Sequence, residues 1–127
     1  MVSRVTCWIF GILFVGIGLL VVVRGAAVDP YHNGLHIATG LAALAVALSR
    51  STPAARTFCL GFGAFYLILG GLGMQLGDPA LDRQWQAGPL LLDMGDHGFH
   101  IVLGSIFLAS GVFTRQRAPR SRELAIG

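Results

Sequence analysis

The chain has no lysine, and its only glutamate is Glu123. Charged residues occupy 12% of the 127 positions, too few to clothe a soluble globule. Only two cysteines occur, Cys7 and Cys59, and they are not spaced as Cys-x-x-Cys. Placed on the reducing, cytoplasmic side, they read as small packing residues rather than a redox pair. There is no Gly-x-x-x-x-Gly-Lys phosphate loop, no Gly-x-Ser-x-Gly nucleophile turn and no His-Glu-x-x-His metalloprotease motif. Those three chemistries are thereby set aside, and no catalytic residue is nominated. Polar side chains are also scarce within the apolar runs, which argues against an ion path through a single copy.

What the chain has instead is apolar sequence. Hydrophobic residues make up 54% of it and the mean hydropathy is +0.71. They form blocks over Val5 to Val23, His36 to Ser49, Thr57 to Leu76 and His100 to Phe113. A helix needs roughly 20 mainly apolar residues, with about 17 as the lower limit, to cross the hydrocarbon of a bilayer. The first and third blocks meet that outright. The second and fourth meet it only if their helices begin near the histidines that precede them. Four spans are therefore expected, at about 5–24, 33–49, 57–76 and 97–113, with a basic, disordered tail over 114–127. The expected fold is all-α: one integral membrane four-helix bundle over 1–127.

Arginine orients it. Arg4, Arg50, Arg56, Arg115, Arg117, Arg120 and Arg122 fall on one side of the four-span arrangement, and Arg24 and Arg83 on the other with Asp29, Asp78, Asp82, Asp93 and Asp96. Seven against two is a positive-inside bias that puts both termini in the cytoplasm. The net charge of +3 is on this reading a topology signal, with no nucleic acid as partner. Membrane lipids are the expected surroundings.

The chain also repeats itself. Arg4, Cys7, Phe10, Gly11, Gly18, Leu20 and Gly25 return at a constant offset of 52 as Arg56, Cys59, Phe62, Gly63, Gly70, Leu72 and Gly77. That match argues that the first apolar run is a retained helix, although Gly25-Ala26-Ala27 resembles a leader cleavage site. A second pair, His32-Asn-Gly-Leu-His36-Ile37 and Asp96-His97-Gly-Phe-His100-Ile101, aligns at an offset of 64 and runs on to Gly40 and Gly104. The difference, 64 − 52 = 12 residues, falls in the outer connection 78–95, whose Trp85 and Leu90-Leu91-Leu92 suit an interfacial cover or a functional loop. Two parallel-repeat helical hairpins, related by a two-fold axis along the membrane normal, follow. Gly11, Gly18 and Gly25, and likewise Gly63, Gly70 and Gly77, recur every seven residues and so share a helical face. With Gly40 and Gly104 they are expected to pack helices closely, because small residues let backbones approach where lipid supplies no hydrophobic drive. Asp29-Pro30 and Ser51 or Thr52 with Pro53 mark the starts of the second and third helices.

Each histidine pair shares a helical face at a spacing of four (His32, His36) or three (His97, His100). Three readings stay open. His32, His36, His97 and His100, with Asp96 and with Asp93 or Asp29 nearby, can bind zinc, copper or another transition metal. His36 and His100, facing across the axis, can ligate a haem or a chlorophyll-type pigment. Or the imidazoles hydrogen-bond neighbouring carbonyls while Asn33 and Asp96 cap helix starts. A proton-linked role is a further possibility for groups at the membrane edge.

The run Asp29 to Leu41, then Ser49-Arg50 with Ala54-Ala55-Arg56, then Gly63-Ala64-Phe65-Tyr66-Leu67, resembles a family of small bacterial membrane proteins known only as a domain of unknown function. Its signature in the second of four helices, Asn-x-x-His-x-x-x-Gly, is matched by Asn33, His36 and Gly40. In the fourth helix the Asn position is His97, a departure. The resemblance implies a helical fold and a bacterial inner-membrane location; the arginine bias puts the histidine motifs and the loop 78–95 on its outer side. The resemblance brings no activity. The chain is thus expected to be a non-enzymatic accessory or structural subunit that packs against a larger membrane complex or against itself. A cofactor- or metal-binding protein and a small transporter are the alternatives.

Overall fold

Helix α1 (Val2–Arg24) starts the chain and stops at Gly25, whose backbone turns left-handed at φ 60° and returns its N–H to the carbonyls of Val21 and Val22. A computed structural model describes residues 1–25 and 29–114; the tail expected beyond 114 and the leader-like Ala26-Ala27 lie outside the described residues. Helix α2 (Pro30–Leu48) begins where Asp29-Pro30 foretold: the Asp29 carboxylate accepts from the backbone N–H of Tyr31 at 2.8 Å. Ser51, rather than Thr52, caps α3 (Thr52–Leu76) by accepting from Ala54 N–H. Helix α4 (Met94–Phe113) opens three residues ahead of its expected start. Asp93 and Asp96 form a reciprocal capping box there, each carboxylate accepting the other's backbone N–H at 3.1 Å.

Helices α1, α3 and α4 are each long and apolar enough to cross a membrane. Helix α2 is not, which departs from the four-span expectation. Its first two turns carry Tyr31, His32, Asn33 and His36, and these dilute the apolar run behind them. Ile9, Ile12, Ile17, Ile68, Val102 and Val112 all point outward and exposed, so the outside of the bundle is oily along its length.

The chain folds as two hairpins, α1 with α2 and α3 with α4, each packed along most of its length and joined to the other more sparsely. Glycine is the reason each hairpin is tight. A methyl group on Gly11 would meet the Gly40 carbonyl oxygen at 3.1 Å, and one on Gly40 would meet that of Gly11 at 3.0 Å. In the second hairpin Gly63 and Gly104 face each other's carbonyls at 2.9 and 2.8 Å. Leu44 seats over Gly11 and Leu108 over Gly63; Ile37 seats on Gly18 and Ile101 on Gly70. Gly25 and Gly77 do otherwise than expected. Nothing lies within 4 Å of a Cβ on Gly25, and Gly77 meets the Arg83 carbonyl, so these two serve helix ends rather than helix–helix contact. Between the hairpins the core is larger and aromatic, with Phe14, Phe107 and Tyr66 buried among half-buried Phe10, Phe58 and Phe62.

The long connection is structured, and not as helix. A single 3-10 turn η1 (Pro79–Leu81) leads into an antiparallel ribbon of β1 (Trp85–Ala87) and β2 (Leu90–Leu92), turned at Gly88 with φ 61°. This ribbon departs from a purely helical fold. Leu92 is fully buried beneath it, whereas Leu91 on the opposite face is exposed, the alternation of a strand. Hydrogen bonds tie the connection to the bundle: an Arg83 guanidinium N–H donates to the Met74 carbonyl, the His97 ring donates from Nε2 to the Arg83 carbonyl at 2.8 Å, and the Met94 N–H donates to the Asp82 carbonyl at 3.0 Å. The His97 ring itself lies against Gly73, where any side chain would collide with it.

Two consequences are measurable. Gly63→Ala has to push α3 off α4 and is expected to cost about 1–3 kcal/mol in detergent unfolding. The control Gly16→Ala, at a helical position with open space, should stay within about 1 kcal/mol of wild type. His97→Ala removes both the Arg83 bond and the filling of the Gly73 notch, for an expected loss of about 2–4 kcal/mol. Hydrogen exchange should speed up in 78–93 before it does in the helices.

Candidate functional site

The helix starts at Asp29 and Asp93 place the two histidine motifs at the same end of the bundle, where side chains of α2, α3 and α4 meet. Three of the four imidazoles converge. The rings of His32 and His36 are 4.6 Å apart between centroids, and His32 is 6.2 Å from His100. The Asp96 carboxylate stands over them, its Oδ1 3.9 Å from His32 Nε2. The fourth, His97, is turned away to hold the Arg83 carbonyl, although it shares a helix with His100 three residues later.

Aromatic rings fix the orientation of this cluster. His36 stacks on Phe14 at 5.3 Å, and His100 stacks on Tyr66 at 5.2 Å with an interplanar angle of 22°. The Tyr66 hydroxyl pairs with that of Thr39 at 3.3 Å. Phe99 lies 6.4 Å from His36 and 6.2 Å from His100. His32 and Phe99 therefore neighbour both rings.

Polar satisfaction in the cluster is incomplete. His100 is 2% exposed, and its Nδ1 has no hydrogen-bond partner among the described residues; His32 Nε2 is likewise buried and unpartnered. Burying such a nitrogen unpaired costs on the order of 1–3 kcal/mol, so each asks for a partner. In the present rotamers no three His, Cys, Asp or Glu side chains among the described residues converge as a ready ligand set.

The other end of the bundle is polar in a different way. Cys7 and Cys59, 52 apart in sequence, meet with Sγ atoms at 3.8 Å, and Cys59 donates weakly to the Ser3 carbonyl. Both thiols are free and fully buried. Beside them the hydroxyls of Ser3 and Thr114 pair at 2.7 Å and those of Thr6 and Ser110 at 2.8 Å, joining α1 to the end of α4. Midway, α2 and α3 part, leaving an apolar groove of about 530 Å³ lined by Leu35, Thr39, Phe58, Gly61, Phe62 and Tyr66 among others.

His32, His36, His100 and Asp96 are thus brought together out of the nominated ligands, and His97 is not. Asp29 caps α2 and Asp93 caps α4. Asn33, nominated as a cap, is instead buried and donates from Nδ2 to the Gly18 carbonyl at 3.2 Å, a bond across the first hairpin. Tyr66, Thr39 and Phe14 were not nominated. One signal was available for Tyr66: of the two tyrosines, it alone sits in the middle of an apolar helix, where its hydroxyl must find a partner.

No curated protein matches the chain, and no solved structure does. A family model does match, over residues 22–113, a stretch that holds the whole histidine cluster together with Tyr66 and Thr39. On that match the chain belongs to the DUF4383 family, a domain of unknown function.

Proposed function

We propose that this chain is a non-enzymatic, multi-pass protein of the bacterial cytoplasmic membrane that serves as an accessory or structural subunit, receiving a helix of a membrane partner or of a second copy. The observation that carries this reading is the parting of α2 from α3. Within each hairpin the glycine faces are already spent on internal contact, so they are not free for a partner. The groove is a different case. It is apolar, open to the side, and has Gly61 on its wall with nothing within 4 Å of a Cβ there. A small residue beside half-buried Phe58 and exposed Phe65 gives another helix a place to approach closely, and dispersion then favours a fitted helix over mobile lipid tails.

A membrane setting is supported by the three long apolar helices and by the oily outer surface. The charges support an orientation. Arg4, Arg50 and Arg56 lie at the end where α1 and α3 begin, whereas Arg83 and all five aspartates lie at the end with the ribbon. Internal duplication accounts for the recurrence of the Gly11–Gly40 contact as Gly63–Gly104, at the sequence offsets of 52 and 64.

Gly61→Trp tests the role. It fills the groove without touching the hairpin contacts, so helicity and thermal stability should hold. In mild detergent the wild type should run as an assembly larger than one chain, and Gly61→Trp as a monomer. A wild type that is strictly monomeric, or a variant that assembles equally well, counts against a subunit role. Orientation is checked separately by Gln86→Cys, an exposed ribbon position: in intact cells it should react with a membrane-impermeant maleimide, while the buried Cys7 and Cys59 stay unlabelled.

A further inference from the structure

We propose that Cys7 and Cys59 form a redox-responsive dithiol pair, which a small neutral peroxide oxidises to a disulfide that locks the first hairpin to the second. Four observations lead there. The first is contact. The two Sγ atoms lie 3.8 Å apart and both thiols are free, although 52 residues separate them along the chain. Each sulfur has to swing by only about 1 Å to reach an S–S bond of about 2.0 Å. The chain holds no third cysteine to compete for either one.

The second observation is the direction of the hydrogens. Each thiol owns one proton. Cys59 donates its own to the Ser3 carbonyl, so the Cys7 S–H is the one left to bridge the two sulfurs. The third is a polar approach. Beside the thiols, the Ser3 and Thr114 hydroxyls pair at 2.7 Å and those of Thr6 and Ser110 at 2.8 Å. Thr6 and Ser110 each keep 7% exposure, so a molecule of peroxide size finds hydrogen-bonding groups from the edge of the bundle inward. Larger reagents are shut out, since Cys7 and Cys59 are 0% exposed. The fourth is leverage. Cys7 belongs to α1 and Cys59 to α3, and the hairpins that these helices represent are joined more sparsely than either is joined within itself.

The chemistry balances in two steps. One thiol gives up its proton and its sulfur attacks the peroxide O–O bond, which leaves a sulfenic acid and releases water. The second thiol's sulfur then attacks the sulfenic sulfur; the S–S bond forms, and the departing hydroxyl takes the second proton as another water. Two thiols and one hydrogen peroxide thus give one disulfide and two waters, the sulfurs losing the two electrons that the peroxide gains. In a reducing compartment, which the proposed orientation gives this end of the bundle, such a bond is transient and acts as a sensor. Burial slows its return by limiting access of reducing thiols. A cross-link between residues so far apart restricts the unfolded chain, so the oxidised protein is the more stable form.

The test uses the full chain in detergent, fully reduced, and hydrogen peroxide at a dose that oxidises free glutathione. Intact mass, taken after quenching with a maleimide under denaturing conditions, should show one disulfide per chain: about 2 Da lost and no maleimide added. The thermal midpoint should rise with it, and dithiothreitol should return both readings to their starting values. Cys7→Ser and Cys59→Ser, which keep the size of the buried group, should show no peroxide-driven rise. If either variant fails to fold, the wild-type mass still decides. In cells quenched with acid, both thiols should be free before peroxide and paired after it. Thiols that stay free at that dose, that gain oxygen separately, or that link one chain to another overturn the pair. So does a midpoint rise shared by the serine variants, or a disulfide already complete in untreated cells.

Discussion

Backbone contact between glycines is the constraint on which the rest of this bundle depends. At Gly11–Gly40 and Gly63–Gly104 each pair of helices is so close that a Cβ would sit about 3 Å from the opposite carbonyl. Approach at that distance fixes the helices' rotation about their own axes. Once α1 and α2 are locked this way, the side chains of Leu44 and Ile37 lie over Gly11 and Gly18; in the second hairpin the Leu108 backbone lies against Gly63 and the Ile101 side chain against Gly70. Each hairpin is then a stiff unit.

The join between the hairpins obeys a different rule. Among the described residues no glycine contact crosses it, and large side chains fill the gap. Phe10, Phe14, Phe58, Phe62 and Phe107 occupy the middle, in tilted or stacked pairs with centroids 4.3 to 6.2 Å apart. Toward the ends polar groups take over, since each needs a partner in apolar surroundings. Hydroxyls and thiols meet at the end with the chain's start, and imidazoles, Tyr66 and Asp96 at the end with the ribbon. The groove between α2 and α3 belongs to this wider join. The place with capacity for a partner is one where the glycine rule does not hold.

The connection 78–95 illustrates how a polar residue can be taken out of a site by tertiary structure. His97 and His100 are one helical turn apart and present the same face in projection. Yet the His97 ring fills a notch at Gly73 and supports the Arg83 carbonyl, whereas His100 turns to Tyr66. In the first hairpin the equivalent of His97 is Asn33, which likewise spends its side chain on a neighbouring backbone, the Gly18 carbonyl. Both side chains hold a backbone carbonyl, Asn33 within its hairpin and His97 in the connection 78–95.

Much of this protein was legible in local sequence. Apolar runs of near-spanning length, the seven-residue glycine period, Asp29-Pro30 and Ser51 with Pro53 each act over a turn or two of helix, so spacing alone placed the helices and their close-packing faces. Helix α2 shows the limit of that reading, because its length suffices while His32, Asn33 and His36 lower its apolar character. The ribbon at 85–92 was hidden by its brevity, with strands of three residues that carry almost no period. What only the tertiary structure decided is which side chains meet: that Cys7 finds Cys59, that Tyr66 slides under His100, and that His32 joins His36 and His100 while His97 leaves. Spacing along one helix says which residues share a face. What stands opposite that face is set by helix rotation and by contacts between residues as much as 111 positions apart, as with Ser3 and Thr114, and those are properties of the assembled bundle.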